Sequence, residues 1–191
     1  MLSLFFATGG MSASSHAQSL PQTNAQEQTG DTIVLDARDM PARTLFIQAV
    51  SIELEFPEKA ISKYDEVMQR FGRATTPGSR LFAARALLNK GGILGKQGND
   101  KEAILAYERI ERNFGNEKNP SIREVLASAL VSKAETFYRL GSTEKALATY
   151  AQLDEQFSPN GNDFIKRLID ITKWRATEIR ASNKITLSSM P

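Results

Sequence analysis

The chain has 191 residues, a length that suits one domain or one array of repeats. Apolar residues make up 41% of it, which is enough to bury a core, and 24 Lys and Arg residues nearly balance 22 Asp and Glu residues. There is no cysteine and the only histidine is His16, which excludes disulfides, thiolate nucleophiles, Ser–His triads, zinc–thiolate sites and histidine-ligated metals, so we expect no metal and no cofactor.

The distribution of charge and hydropathy narrows the partners further. The two signs of charge are interleaved and no run of like charge stands out, so a nucleic-acid partner is not expected. No stretch approaches the roughly 18 consecutive apolar residues of a membrane-spanning helix, so stable membrane insertion is not expected either. Composition alone leaves both an enzyme and a binding scaffold open.

The first 30 residues have the composition of a processing signal followed by a linker. A short apolar run, Leu2 to Ala7, fades into small residues, and Ser15-His16-Ala17 presents small residues at the two positions that a signal peptidase reads. The positive segment that precedes such a run is missing, since the first basic residue is Arg38. Residues 1–17 are therefore either a signal-peptide remnant, which predicts a periplasmic or otherwise exported protein, or a disordered end, which leaves a cytoplasmic one. Residues 18–42 are predicted to be a flexible linker and lead-in, with either a short strand or no regular structure at 32–36.

Three segments then repeat at intervals of 43 residues: 58–72, 101–115 and 144–158. Each carries an alanine, a tyrosine four residues later, an apolar residue three further on and a phenylalanine after four more. The equivalent residues are Ala60, Ala103 and Ala146; Tyr64, Tyr107 and Tyr150; Val67, Ile110 and Leu153; Phe71, Phe114 and Phe157. This spacing places all four side chains on one face of a helix.

The glycine-rich residues 89–99 belong to the same repeat. Four glycines beside Lys96 suggest a phosphate-binding loop, but the pattern G-x-x-x-x-G-K-[ST] is not present, and the segment aligns with residues 132–142, which have no such character. We therefore predict a helix and not a nucleotide site. Gly98 and Gly141 are predicted to end helices, and Gly91, which stands where the next repeat has Ala134, to let two helices approach closely.

This pattern resembles the tetratricopeptide repeat, specifically its long-period bacterial form. In that family, helix A carries a large apolar residue, a small one, an aromatic and a turn glycine, and helix B carries an alanine, an aromatic and an apolar residue. The third repeat matches in order with Leu130, Ala134, Phe137, Gly141, Ala146, Tyr150 and Leu153, and the second matches with one aliphatic residue in place of an aromatic. The interval of 43 residues exceeds the family's usual period of about 34. The first repeat is degenerate, with Glu55 where the turn glycine is expected.

The resemblance implies an all-α fold: a right-handed α-solenoid of helix-turn-helix repeats with a C-terminal capping helix. The repeats are expected at about 43–72, 77–115 and 120–158, the cap at 162–181 and a disordered tail at 182–191. Seven helices follow, with breaks near Phe56, 72–77, 98–99, 115–120, 141–142 and 158–162.

In this family the concave face, formed mainly by A helices, usually binds a peptide segment of another protein. The resemblance therefore implies a non-catalytic interaction module. Its expected partner-binding residues are Arg85, Asn89, Gly92 and Lys96 in the second repeat, Ser128, Ser132, Glu135, Tyr138 and Arg139 in the third, and Trp174 in the cap. Lys96 with Arg139 is expected to form a basic column and Glu135 with Glu178 an acidic one, which would orient a peptide by charge. Gly92 and Gly95 either leave a shallow pit for a ligand or are tolerated defects in a buried repeat.

Two other functions stay open at this point. One is a structural protein that self-associates through the ends of its array. The other is a carboxylate-type hydrolase on a helical solenoid, which needs paired acids in a cleft. The acidic residues lie mostly on expected B helices or turns, which disfavours the hydrolase.

Overall fold

The computed structural model describes residues 34–188, with side chains as far as residue 182. This part of the chain is all helical, with no strand, as predicted. A short 3₁₀ helix, Ala37–Asp39, precedes seven α-helices: α1 (Met40–Ile52), α2 (Pro57–Phe71), α3 (Pro77–Lys96), α4 (Asp100–Phe114), α5 (Pro120–Arg139), α6 (Thr143–Phe157) and α7 (Asp163–Ser188). The predicted breaks between the helices are confirmed.

The helices pack as consecutive pairs. Each of the A helices (α1, α3, α5 and α7) contacts its neighbours in chain order, and the helices α2, α4 and α6 serve as the B helices. The arrangement is the α-solenoid of helical repeats that the sequence predicts, while the handedness of its superhelix stays a prediction. The signal-remnant prediction for 1–17 and most of the predicted linker lie outside the described residues.

The repeated side chains form the core, as their spacing predicts. The alanine, tyrosine and apolar members of all three sets are buried, and so are Phe114 and Phe157, whereas Phe71 is half-buried. A Cβ on Gly91 would overlap the ring of Tyr107, which explains the small residue at this position. Gly98 and Gly141 have φ values of 78° and 72°, the left-handed conformation that ends a helix and favours glycine.

The N-cap residues of α3 and α5, Thr76 and Asn119, use their side chains differently. Asn119 caps α5, since its side-chain oxygen accepts hydrogen bonds from the backbone N–H groups of Ser121 at 3.0 Å and Ile122 at 3.3 Å. Thr76 does not cap α3 with its side chain. The buried carboxylate of Asp39 takes that role instead, accepting from the Ser79 backbone N–H at 2.7 Å, while Thr76 donates its hydroxyl proton to Asp39 at 2.5 Å.

The start of the helical array also differs from the prediction. The predicted lead-in was to end at residue 42, but α1 begins at Met40 and the residues just before it are fixed against α3. Residues 34–36 form no strand. The segment is ordered by polar contacts that link residues about 40 positions apart, which no local pattern reveals.

The first A helix has a different register from the others. Ala42, Leu45 and Ala49 are the buried residues of α1, and they correspond to Ala84, Leu87 and Gly91 of α3 at an interval of 42 rather than 43. The buried residues of α1 therefore lie one residue closer in sequence to those of α2 than in the later repeats, and the turn between these two helices, 53–56, contains no glycine.

The last helix extends past the predicted cap. It continues to Ser188, where a disordered tail was expected from 182, because no glycine or proline stops it there. Leu130 and Ala134 are buried in α5, but their equivalents in α7, Lys173 and Thr177, are exposed. This polar outer face is the feature by which a capping helix ends a solenoid.

Candidate partner-binding groove

The A helices form one continuous face. The backbones of successive A helices approach within 8 Å of one another, whereas the three B helices do not come that close to each other. The more closely spaced A helices therefore lie on the inner side of the array. We call their exposed face the inner groove.

A cavity of about 280 Å³ opens in the middle of this groove, between α3 and α5. Its lining includes half of the predicted partner-binding residues: Gly92, Lys96, Ser132, Glu135 and Arg139. Gly95, Tyr107, Val131 and Thr136 complete it. We call this cavity the central pit. Gly92 and Gly95 both line this pit, which agrees with the first of the two roles considered for them.

The charges in the central pit differ from the expected basic column. Arg139 is ion-paired with Asp100 at the start of α4, with its Nε atom 3.1 Å from Oδ1, and this pair raises the pKa of Arg139. Lys96 is exposed and forms no ion pair among the described residues. Lys96 and Arg139 thus line the same cavity, as the expected column requires, but a carboxylate from the neighbouring B helix neutralises Arg139.

Glu135 is also engaged by its neighbours. Its carboxylate accepts a hydrogen bond from the Tyr150 hydroxyl and lies 3.5 Å from Nε of Arg175 on α7. The guanidinium of Arg175 in turn lies over the Tyr138 ring, 4.9 Å from its centroid. Glu135, Tyr138 and Arg175 thus fill the furrow between α5 and α7.

Asn89 occupies the furrow on the other side, between α1 and α3. Its amide Nδ2 donates to the Tyr64 hydroxyl at 3.0 Å, and that hydroxyl donates to Glu53 at 2.8 Å. Burial raises the pKa of Tyr64, so its hydroxyl stays protonated as a donor at neutral pH. Asn89 therefore stabilises the contact between repeats and is less accessible than expected.

The remaining predicted residues lie on the rims of the inner groove. Arg85 is exposed, and Ser128 donates its hydroxyl proton to the Glu124 carbonyl of its own helix at 2.8 Å. Trp174 is 61% exposed and Ile171, one turn before it, is 58% exposed. A tryptophan and an isoleucine that stay this exposed form an apolar patch at the C-terminal end of the groove.

Sequence reasoning missed the contribution of α1. With the interval of 42, the groove positions of α1 are Arg43, Phe46, Ile47 and Val50, and both Ile47 and Val50 are exposed. The match of Ala42-Arg43-Thr44-Leu45 with Ala84-Arg85-Ala86-Leu87 is the signal that could have found them. The inner groove therefore has an apolar patch at each end and the small, polar central pit between them.

Two other classes of site are not found in the described part of the chain. Residues 34–188 contain no helix long and apolar enough to cross a membrane. They also contain no cluster of three or more acidic residues that could hold a metal ion.

Comparison with known proteins identifies the third repeat. Residues 128–159 match the tetratricopeptide repeat family. The matched tetratricopeptide repeat contains most of α5 and all of α6, and it carries Ser128, Ser132, Glu135, Tyr138 and Arg139 of the predicted groove. No curated protein and no solved structure matched the chain. The match supports the family that the sequence pattern indicates, while the long-period bacterial subtype stays a prediction.

Proposed function

We propose that the array is a non-catalytic interaction module that holds a segment of a partner protein in its inner groove. The tetratricopeptide repeat match supports a protein-interaction scaffold in general, since repeats of this family are generally non-enzymatic. The specific use of the inner groove rests on the geometry of the described residues.

The observation that carries the proposal is the central pit with its apolar flanks. Five predicted residues line one cavity at the centre of the inner groove. Exposed apolar side chains lie beyond it on both sides, Val50 on α1 and Trp174 on α7. Exposed aromatic residues of this kind commonly provide much of the energy of a protein interface.

Removing the apolar anchors tests this proposal. The double change Ile171→Ala and Trp174→Ala should weaken binding of a captured partner at least tenfold, or about 1.4 kcal/mol. Both side chains are largely exposed, so helicity and the melting temperature should stay close to those of the wild type. Affinity is measured with the partner that the tagged wild-type chain captures from its native extract.

The matched control is Leu105→Ala with Leu140→Ala, two apolar side chains that are 57% and 45% exposed on a B helix and a turn. It should leave affinity unchanged. Loss of binding in the control but not in the groove variant would show that the partner uses the outer face. Recovery of untagged copies of this chain alone would favour self-association. An exposed apolar residue at the N-terminal end is consistent with that outcome: Met40 of α1 is exposed, whereas its equivalent in α3, Phe82, is buried.

Export remains part of the proposal. It is supported by the apolar run Leu2 to Ala7 and the small residues Ser15 and Ala17, which lie outside the described residues. N-terminal sequencing of the native protein should then begin near Gln18. An intact Met1 on protein from the cytoplasm would contradict it.

A further inference from the structure

A tyrosine from each B helix reaches the furrow between two A helices. The first furrow lies between α1 and α3, the second between α3 and α5, and the third between α5 and α7. In the first furrow, the Tyr64 hydroxyl receives a hydrogen bond from Asn89 and donates its proton to the carboxylate of Glu53. Asn89 belongs to the following A helix, α3, and Glu53 follows α1 directly, as its C-cap. The hydroxyl therefore has both a donor and an acidic acceptor.

The third furrow repeats this arrangement with other residues. The Tyr150 hydroxyl donates to the carboxylate of Glu135 on α5, and Arg175 of α7 is its basic neighbour from the following A helix. Arg175 and Asn89 are equivalent in the repeat, as is Ser132 between them. In two of the three furrows, a glutamate carboxylate therefore accepts a hydrogen bond from the tyrosine hydroxyl.

The second furrow contains the tyrosine but no carboxylate for it. Burial raises the pKa of Tyr107, and a hydrogen bond from Ser132 opposes that effect. Among residues 34–182 no carboxylate accepts a hydrogen bond from the Tyr107 hydroxyl, whose side-chain partner is Ser132. The positions that supply the carboxylate elsewhere are both glycine here, since Gly92 is equivalent to Glu135 and Gly95 to Glu53.

Both glycines line the central pit, and the open space lies at Gly92. A Cβ built on Gly92 meets no atom within 4 Å, so the place of the Glu135 side chain is empty in α3. The pit is also favourable to an anion. Arg139 and Asp100 balance each other, Glu135 is engaged by Tyr150 and Arg175, and the exposed Lys96 adds a positive charge.

We propose that the central pit is a subsite for an aspartate or glutamate side chain of the bound partner segment, whose carboxylate accepts the proton of the Tyr107 hydroxyl. The bound side chain takes the place that Glu53 and Glu135 occupy in the neighbouring furrows. This inference rests on the proposed function. A side chain fits better than a chain terminus, because the inner groove continues past the pit toward both α1 and α7.

The preference of the pit for a carboxylate can be measured without any partner. The variants Gly92→Glu and Gly92→Gln have nearly equal helix propensity and size, so both should melt about 2 to 4 °C above the wild type because a helix glycine is removed. Gly92→Glu should melt higher than Gly92→Gln by a further 2 °C or so at pH 7, since its carboxylate accepts from Tyr107.

A double-mutant cycle separates this contact from an ordinary helical pair between residue 92 and Lys96. In the Tyr107→Phe background the advantage of Gly92→Glu over Gly92→Gln should fall by at least half. An advantage that is unchanged by Tyr107→Phe, or no advantage in either background, overturns the subsite.

Peptide binding gives the second readout. The probe is a set of end-blocked peptides of random sequence with glutamate at a fixed central position, compared with the same set carrying glutamine there. The wild type should retain the glutamate set at least tenfold better than the glutamine set. Gly92→Glu should lose this preference because its own side chain fills the pit.

The outcomes distinguish the subsite from the proposed function. Equal retention of both sets, or retention only of peptides with a free C-terminal carboxylate, overturns the side-chain subsite. The two readouts can also disagree. If no peptide is retained but Gly92→Glu still melts above Gly92→Gln in a way that depends on Tyr107, the groove function is overturned and the carboxylate preference of the pit stays supported.

Discussion

At the scale of the residue, Asp39 shows how one buried carboxylate fixes the start of the array. It is 2% exposed and accepts hydrogen bonds from Thr76, from the backbone and side chain of Ser79, and from the backbone of Asp36. Burial raises the pKa of Asp39, but these hydrogen bonds outweigh it and hold the pKa below its ordinary value. A Cβ on Gly78 would overlap this carboxylate, which explains the glycine in the first turn of α3.

The depressed pKa of Asp39 predicts a dependence of stability on pH. A carboxyl group with a lower pKa in the folded state contributes stability above its unfolded pKa of about 3.9, and loses it as the pH falls through the lower folded value. Asp39→Asn should therefore cost about 1–3 kcal/mol in urea unfolding at pH 7, because it removes charge-assisted hydrogen bonds. The gap from the wild type should narrow steadily below about pH 4. The exposed Asp170→Asn is the control, and a gap that is constant from pH 7 to pH 3 would contradict the account.

At the scale of the element, each repeat depends on a tyrosine packed against a small residue. Tyr107 lies against Gly91, and Tyr150 lies in one buried cluster with Ala134. Truncating either tyrosine to alanine should cost about 3 kcal/mol or more of unfolding free energy, because a large cavity remains in the core. Chemical denaturation measures this cost. The half-exposed Leu105→Ala on α4 should change stability by less than about 1 kcal/mol, and tyrosine variants as stable as that control would refute the repeat alignment.

The elements also show what the sequence could reveal. The bounds of α3 to α6 follow from local signals: a proline or polar residue at the start, a 3.6-residue apolar period, and a glycine just after three of the four helices. The register of α1 could not be found from a strict interval of 43, because its buried residues lie one residue closer in sequence to those of the following B helix. The extension of α7 to Ser188 was missed because the helix was expected to end with the cap at 181, although no glycine or proline stops it there.

At the scale of the whole molecule, the sequence predicted which side chains share the inner groove better than it predicted the contacts between them. Half of the predicted residues meet in the central pit, since equivalent positions of repeats stack in columns. The pairing of Arg139 with Asp100, 39 residues away, depends on how α4 packs against α5. The lack of a carboxylate beside Tyr107 becomes apparent only when the three furrows are compared.

The most direct test of groove binding is position-specific photo-crosslinking. A photoreactive amino acid at Lys96, which lines the central pit, is compared with one at Leu105, which is exposed on the B helix α4. With the captured partner present, the position 96 variant should give one partner-dependent crosslinked product, and the position 105 variant should give little or none. A product from position 105 and not from position 96 would show that the partner binds the outer face, and would contradict the proposed function.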